Sequence, residues 1–83
     1  MLVEDLDEAV AVRADFSGGE ITPRAFRRGA RAYQVTAVNG RWVDRDGDSP
    51  RFCFSVQSGD ETYFLSLRAA DMVWRLEKVI LGG

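Results

Sequence analysis

The stretch Arg51-Phe52-Cys53-Phe54-Ser55-Val56-Gln57 decides the fold. Phe52, Phe54 and Val56 alternate with Arg51, Cys53, Ser55 and Gln57. A β-strand points successive side chains to opposite faces, so this reads as a strand with an aromatic inner face and a polar outer one. On its C-terminal side, Ser58-Gly59-Asp60 makes a hairpin turn. Thr62–Arg68 then returns with Tyr63, Leu65 and Leu67 on one face and Phe64 on the other. Ala69-Ala70-Asp71 turns the chain again. Met72, Trp74 and Leu76 alternate with Val73, Arg75 and Glu77 in a last strand that runs to about Ile80.

On the N-terminal side, Asp46-Gly47-Asp48-Ser49-Pro50 is a polar loop, and Arg41–Arg45 before it is a strand with Trp42 expected inward. Asn39-Gly40 reads as the hairpin turn into that strand, because both central positions of a type I′ turn need positive φ. Its partner strand is Arg31–Val38, with Tyr33, Val35 and Ala37 on one face. Pro23 cannot donate to a central ladder, so Ile21–Arg28 is expected at an edge or connection. A helix over Pro23–Tyr33 is the alternative, with Thr22 as N-cap and Pro23 at its first position. Gly29 in its interior weighs against the helix, and a short strand with a tight turn at Arg28-Gly29 is preferred. Val10, Val12, Ala14 and Phe16 mark the first strand, which ends at Ser17-Gly18-Gly19. Residues 1–8 are expected to be a loosely ordered acidic lead, or at most a marginal helix over Val3–Ala9, and residues 9–83 a single small β domain. The fold class is therefore all-β: a small antiparallel barrel or strongly curled sheet of five to seven strands, of SH3-like or OB-like size.

At 83 residues the chain buries only about 60–65% of its unfolded surface, so each of its nine aromatic side chains matters. It has one cysteine and no histidine. An internal disulfide, a Ser-His-Asp or Cys-His triad and the common zinc sites are thereby excluded from this chain. The acidic start lacks the basic and apolar regions of a signal peptide, and no apolar run approaches the ~20 residues of a membrane span. A cytoplasmic, non-enzymatic protein with no cofactor, no metal and no membrane contact is expected.

The net charge of −2 is uneven along the chain. Residues 1–20 hold one base and six acids, net −5. Residues 21–51 hold seven arginines and three acids, net +4. Arginines Arg24, Arg27, Arg28 and Arg31 could neutralise phosphates, with Tyr33, Trp42 or Phe64 as stacking platforms for bases. The plainer account is a solvated face, or pairing with the acidic front or the 44–48 loop. Phe64 and Val73 face outward and could form a partner surface with an arginine rim; a second small core is the plainer account. Asp44-x-Asp46-Gly47-Asp48 lacks the glycine position and distal Glu of a calcium loop and reads as a polar loop. Cys53 beside Arg51 could be a reactive thiol, or a small buried hydrophobe. Leu81-Gly82-Gly83 ends as ubiquitin-like carriers end, but those folds need a long helix that the pattern lacks.

The pattern Pro23-x2-Phe26-x2-Gly29-x3-Tyr33-x-Val35-x6-Trp42, followed by Phe54-x-Val56, Tyr63-x-Leu65 and Trp74-x-Leu76, covers most of the chain after residue 20. It resembles an uncharacterised family of short bacterial β-rich proteins, which implies a bacterial source and no particular activity. A protein-interaction or adaptor role is expected first, and nucleic-acid binding through the arginines second.

Overall fold

The computed structural model describes residues 2–82. Among them there is no helix, and so none long and apolar enough to cross a membrane. Eight strands follow in order: β1 (Leu2–Ala9), β2 (Ala11–Ser17), β3 (Glu20–Arg28), β4 (Arg31–Gln34), β5 (Ala37–Asp44), β6 (Arg51–Ser58), β7 (Glu61–Arg68) and β8 (Trp74–Leu81). They form two antiparallel sheets, β1-β8-β7-β6-β5 and β2-β3-β4, and no ladder closes these into a barrel. The count is eight rather than five to seven because an unforeseen strand leads the chain; Arg31–Val38 is divided, but its end joins Arg41–Asp44 in one strand.

The aromatic alternation sets the core. Phe54 and Val56 on β6 are buried, as are Tyr63, Leu65 and Leu67 on β7 and Leu76 and Val79 on β8. The chain passes twice between sheets. β1 runs into β2 through Val10, whose N–H donates to Trp74 O at 3.2 Å. β4 runs into β5 through Val35 and Thr36, whose N–H groups donate to Arg24 O and Gln57 O, each at 2.9 Å. These bonds satisfy backbone groups that a bend would otherwise leave unpaired. Both edges of the larger sheet thus continue into the smaller one. The two inner faces meet in one core, where Phe26 of β3 packs with Phe54, Val56, Tyr63, Leu65, Leu76 and Val79.

Several expectations are corrected here. Residues 2–9 are not a loose lead: they form β1, paired with β8 from Leu2↔Leu81 to Ala9↔Arg75. Glu4, Asp5 and Asp7 are exposed, Glu8 is half-buried against Arg28, and Leu6 reaches the core, so a strand was hidden behind an acidic composition. The segment 23–33 is a hairpin and not a helix, with Gly29 at φ 58° between the paired Arg28 and Arg31. Pro23 lies in the middle strand of its sheet rather than at an edge. It is tolerated because Arg24 bulges out between the pairs Arg13↔Ala25 and Ala14↔Pro23, and the β4 ladder reaches only as far as Ala25↔Gln34.

Asn39-Gly40 is not a turn. β5 runs straight through it, and the register steps from Val38↔Val56 to Gly40↔Ser55, so Asn39 is an extra, bulged residue. One extra residue reverses the alternation beyond it. Trp42, expected inward, is therefore turned outward.

Phe26 and Pro23 are the two residues that the three-stranded sheet buries, and Phe26 is the larger. Its ring stacks on Tyr33 (4.9 Å between centroids, 5° between planes) and meets Tyr63 edge-on at 5.0 Å. Phe26→Ala should cost about 3–5 kcal/mol, by lost burial plus a cavity, seen as a large fall in the urea midpoint. Arg27→Ala on the solvent face should move it by less than about 0.5 kcal/mol. Equal small shifts would show that Phe26 does not anchor the smaller sheet.

Candidate functional site

β5 is an edge of the larger sheet: it pairs with β6 on one side and with no strand on the other. Beyond the Asn39 bulge its side chains divide between two surfaces. Arg41 and Val43 lie opposite Phe54 and Phe52, on the core side. Trp42 lies opposite Cys53, on the outer face. Trp42 and Val43 are 45% and 42% exposed, which is high for large apolar side chains in neighbouring positions.

On the outer face Trp42 meets Phe64 of β7 edge-on, with 6.2 Å between centroids. Lys78 Nζ lies 4.7 Å from the Phe64 ring centre, on the favourable negative face of an aromatic ring. The buried Ser66 hydroxyl donates to the Glu77 carboxylate at 2.6 Å on the same face. Glu77 is itself a bulged residue, between the pairs Phe64↔Lys78 and Leu65↔Leu76.

On the core side a cleft of about 510 Å³ opens between β5 and the β2–β3 hairpin. Its lining includes Gly18, Gly19, Ile21, Val43 and Phe52. Gly18 and Gly19 both have positive φ, 59° and 76°, which the tight two-residue turn requires. Arg41 ties the hairpin to β5: Nε donates to Ile21 O at 3.3 Å and Nη2 to Thr22 Oγ1 at 3.1 Å. Its guanidinium also lies 3.6 Å from the Glu20 carboxylate. The arrangement is a backbone edge with apolar surface above and below it. Such an edge can bind extended polypeptide.

The arginines singled out in the sequence do not gather into one patch. Arg24 Nε donates to Asp15 at 2.7 Å, and Arg28 donates to both oxygens of Glu8 at 3.1 and 3.2 Å. The bond to Glu8 outweighs desolvation and holds the Arg28 guanidinium above its ordinary pKa. Arg31 lies over Tyr33 at 5.3 Å and Arg28 at 6.0 Å. Arg27 neighbours the inward Phe26 and so points to the opposite face, where it pairs across Ala11 and Ala32. Tyr33 is engaged with Phe26 in the core, far from a free stacking platform.

Phe64 and Val73 are both on the outer side, but they do not meet. Val73 O accepts from Arg68 N–H, four residues along β7 from Phe64, or about 13 Å at strand rise. Phe64 instead has Trp42. In the 44–48 loop, Asp46 N–H donates to Asp44 Oδ1 at 2.9 Å, and among the described residues no three potential metal ligands converge. Gly82 follows β8 closely enough to Asp60 that an added Cβ would overlap the Asp60 carbonyl oxygen. Packing therefore demands a glycine there. Gly83 lies outside the described residues.

Reading the sequence missed Val43 and the cleft beside it. A signal was present: Trp42 and Val43 are adjacent in a strand, so they must face opposite ways, and only one can reach a single core. Comparison with known proteins finds no matching family model, no matching curated protein and no matching solved structure.

Cys53 sits under this outer face. Burial pushes its thiol pKa up, and the nearby carboxylates of Asp44 and Glu77 push it the same way, against the weaker effect of Arg51. The thiolate is therefore scarce at neutral pH. Iodoacetamide should alkylate Cys53 more slowly than free cysteine at pH 7, with the midpoint of the rate–pH curve displaced upward, and Asp44→Asn should bring it partly back. A midpoint at or below that of free cysteine (about 8.5) would contradict this account.

Proposed function

We propose that this protein is a non-enzymatic docking module that takes an extended segment of a protein partner along the free edge of β5. One observation carries the reading: an unpaired strand edge has an exposed apolar side chain on each of its sides, Trp42 beside the half-buried Phe64 on one and Val43 near the half-buried Phe52 and Ile21 on the other. An added strand gains backbone hydrogen bonds from β5, and its alternate side chains fall on these two surfaces in turn. Affinity then comes from the backbone and selectivity from the alternation.

The opposite edge of the same sheet is built differently. β1 carries Glu4, Asp5, Asp7 and Glu8, and Asp7 adopts φ 59° where the register shifts. Charge and irregularity are the usual means by which an edge is kept from pairing. Past the Asn39 bulge and before Asp44, β5 carries one charged side chain, Arg41, which is turned toward the β2–β3 hairpin, and no residue of positive φ. Nucleic-acid binding is the less well supported reading. Two of its four arginines are already held by carboxylates, and Arg27 lies on the opposite face of its strand from Arg28.

The test is a panel of labelled nine-residue peptides with apolar residues at every second position, followed by fluorescence anisotropy at nanomolar protein. At least one alternating peptide should bind, lose binding when a central residue is replaced by proline, and lose it again to Trp42→Ser. If every alternating peptide fails, or if binding is indifferent to both changes, β5 is not the docking edge.

A further inference from the structure

We propose that the occupant of the β5 edge is β5 of a second copy of this chain, giving a two-fold dimer with one continuous ten-stranded sheet. This rests on the reading of β5 as a docking edge and adds the identity of the partner. The argument begins with symmetry. Two antiparallel edge strands in one sheet are related by a two-fold axis perpendicular to that sheet. The axis keeps both outer faces on the same side. An outer-face residue must therefore oppose an outer-face residue, and the axis must pass through a single residue position rather than between two.

Three such registers centre on the exposed part of β5. Centring on Arg41 places two guanidinium groups face to face. Centring on Val43 places Arg41 opposite Arg45 of the second copy and Trp42 opposite its Asp44. Like charges directly opposed destabilise a ladder. Centring on Trp42 has neither fault. Trp42 then faces Trp42 of the second copy, Arg41 faces its Val43, and Gly40 faces its Asp44. Aromatic pairs directly across strands are among the stabilising ones. Each Trp42 already lies edge-on to a Phe64, so this register joins four rings across the axis on the outer face.

The same test applied to β1 gives the opposite answer. Glu4, Asp5, Asp7 and Glu8 of one copy would confront those of another, and the positive φ at Asp7 interrupts the ladder. β4 is only four residues long. β2, centred on Ala14, would set Arg13 opposite Asp15, but Arg24 already holds that carboxylate. Among the edges, β5 is the one that sets an aromatic pair on the axis. A net charge of −2 per chain leaves little repulsion between copies. Two short edge strands bury far less than the ~1,200–2,000 Å² of a standard stable interface, so the dimer should be concentration-dependent rather than permanent.

Sedimentation equilibrium on the full chain, from micromolar to millimolar concentration, tests this. The mass should rise from 9.3 kDa toward twice that value. Trp42→Glu should hold the chain at monomer mass with an unchanged circular dichroism spectrum, since Trp42 lies outside the core, while Trp42→Phe should still associate. Hydrogen exchange at high concentration should protect β5 amides that exchange freely when dilute. A monomer at every concentration overturns the proposal; if alternating peptides still bind in that case, the docking edge stands and its occupant is another protein. A dimer that survives Trp42→Glu with β5 amides unprotected also overturns it, because association then uses another surface.

Discussion

The ring of Phe26, stacked on its cross-strand neighbour Tyr33, meets Tyr63 edge-on, and through Tyr63 the three-stranded sheet rests on the five-stranded one. A sheet with one apolar face must bury that face against another layer. Phe26 gives it an anchor in the layer formed by Phe54, Val56, Leu65 and Leu76. Everything at the candidate site depends on that placement. The cleft beside β5 exists because the β2–β3 hairpin is held close to the larger sheet without joining it, and Arg41 bridges the remaining gap.

Extra residues in the strands decide which side chains meet the solvent. Arg24, Asn39 and Glu77 each occupy a place with no opposite number across the ladder. Each has a consequence beyond itself. At Arg24 the bulge admits a proline to a middle strand. At Asn39 it sends Trp42 outward and Val43 to the rim of the cleft. At Glu77 it lets Leu76 and Val79 both reach the core, although three positions apart. Bulges also bend and twist strands, which is how eight short strands wrap one small core.

The uneven charge along the chain is resolved within the fold. The four ion pairs among the described residues join Arg24, Arg28, Arg41 and Arg75 to Asp15, Glu8, Glu20 and Asp7. Every acid comes from the first twenty residues. Exposed pairs of this kind are worth roughly 0–1 kcal/mol each, so they orient more than they stabilise. They pin β1 and the β2–β3 hairpin against their neighbours. What looks like a basic segment available for phosphate is in good part the counterpart of an acidic segment in the same chain.

The sequence alone determined the all-β class, the aromatic core of β6 and β7, the outward position of Phe64 and the hairpins at Ser17–Gly19 and Ser58–Asp60. These follow from a period of two and from turn residues, both of which act within a few positions. Tertiary structure alone decided the rest. The acidic residues 2–9 became a strand because β8 offered an edge, and no local pattern announces a distant partner. Asn39-Gly40 has the composition of a turn, yet continuous pairing with β6 drew it into a strand, since a full ladder satisfies more backbone groups than a hairpin would there. Trp42 faces outward for that reason. A bulge is a mismatch between two strands, so it belongs to neither strand's sequence, and the candidate site was created by one.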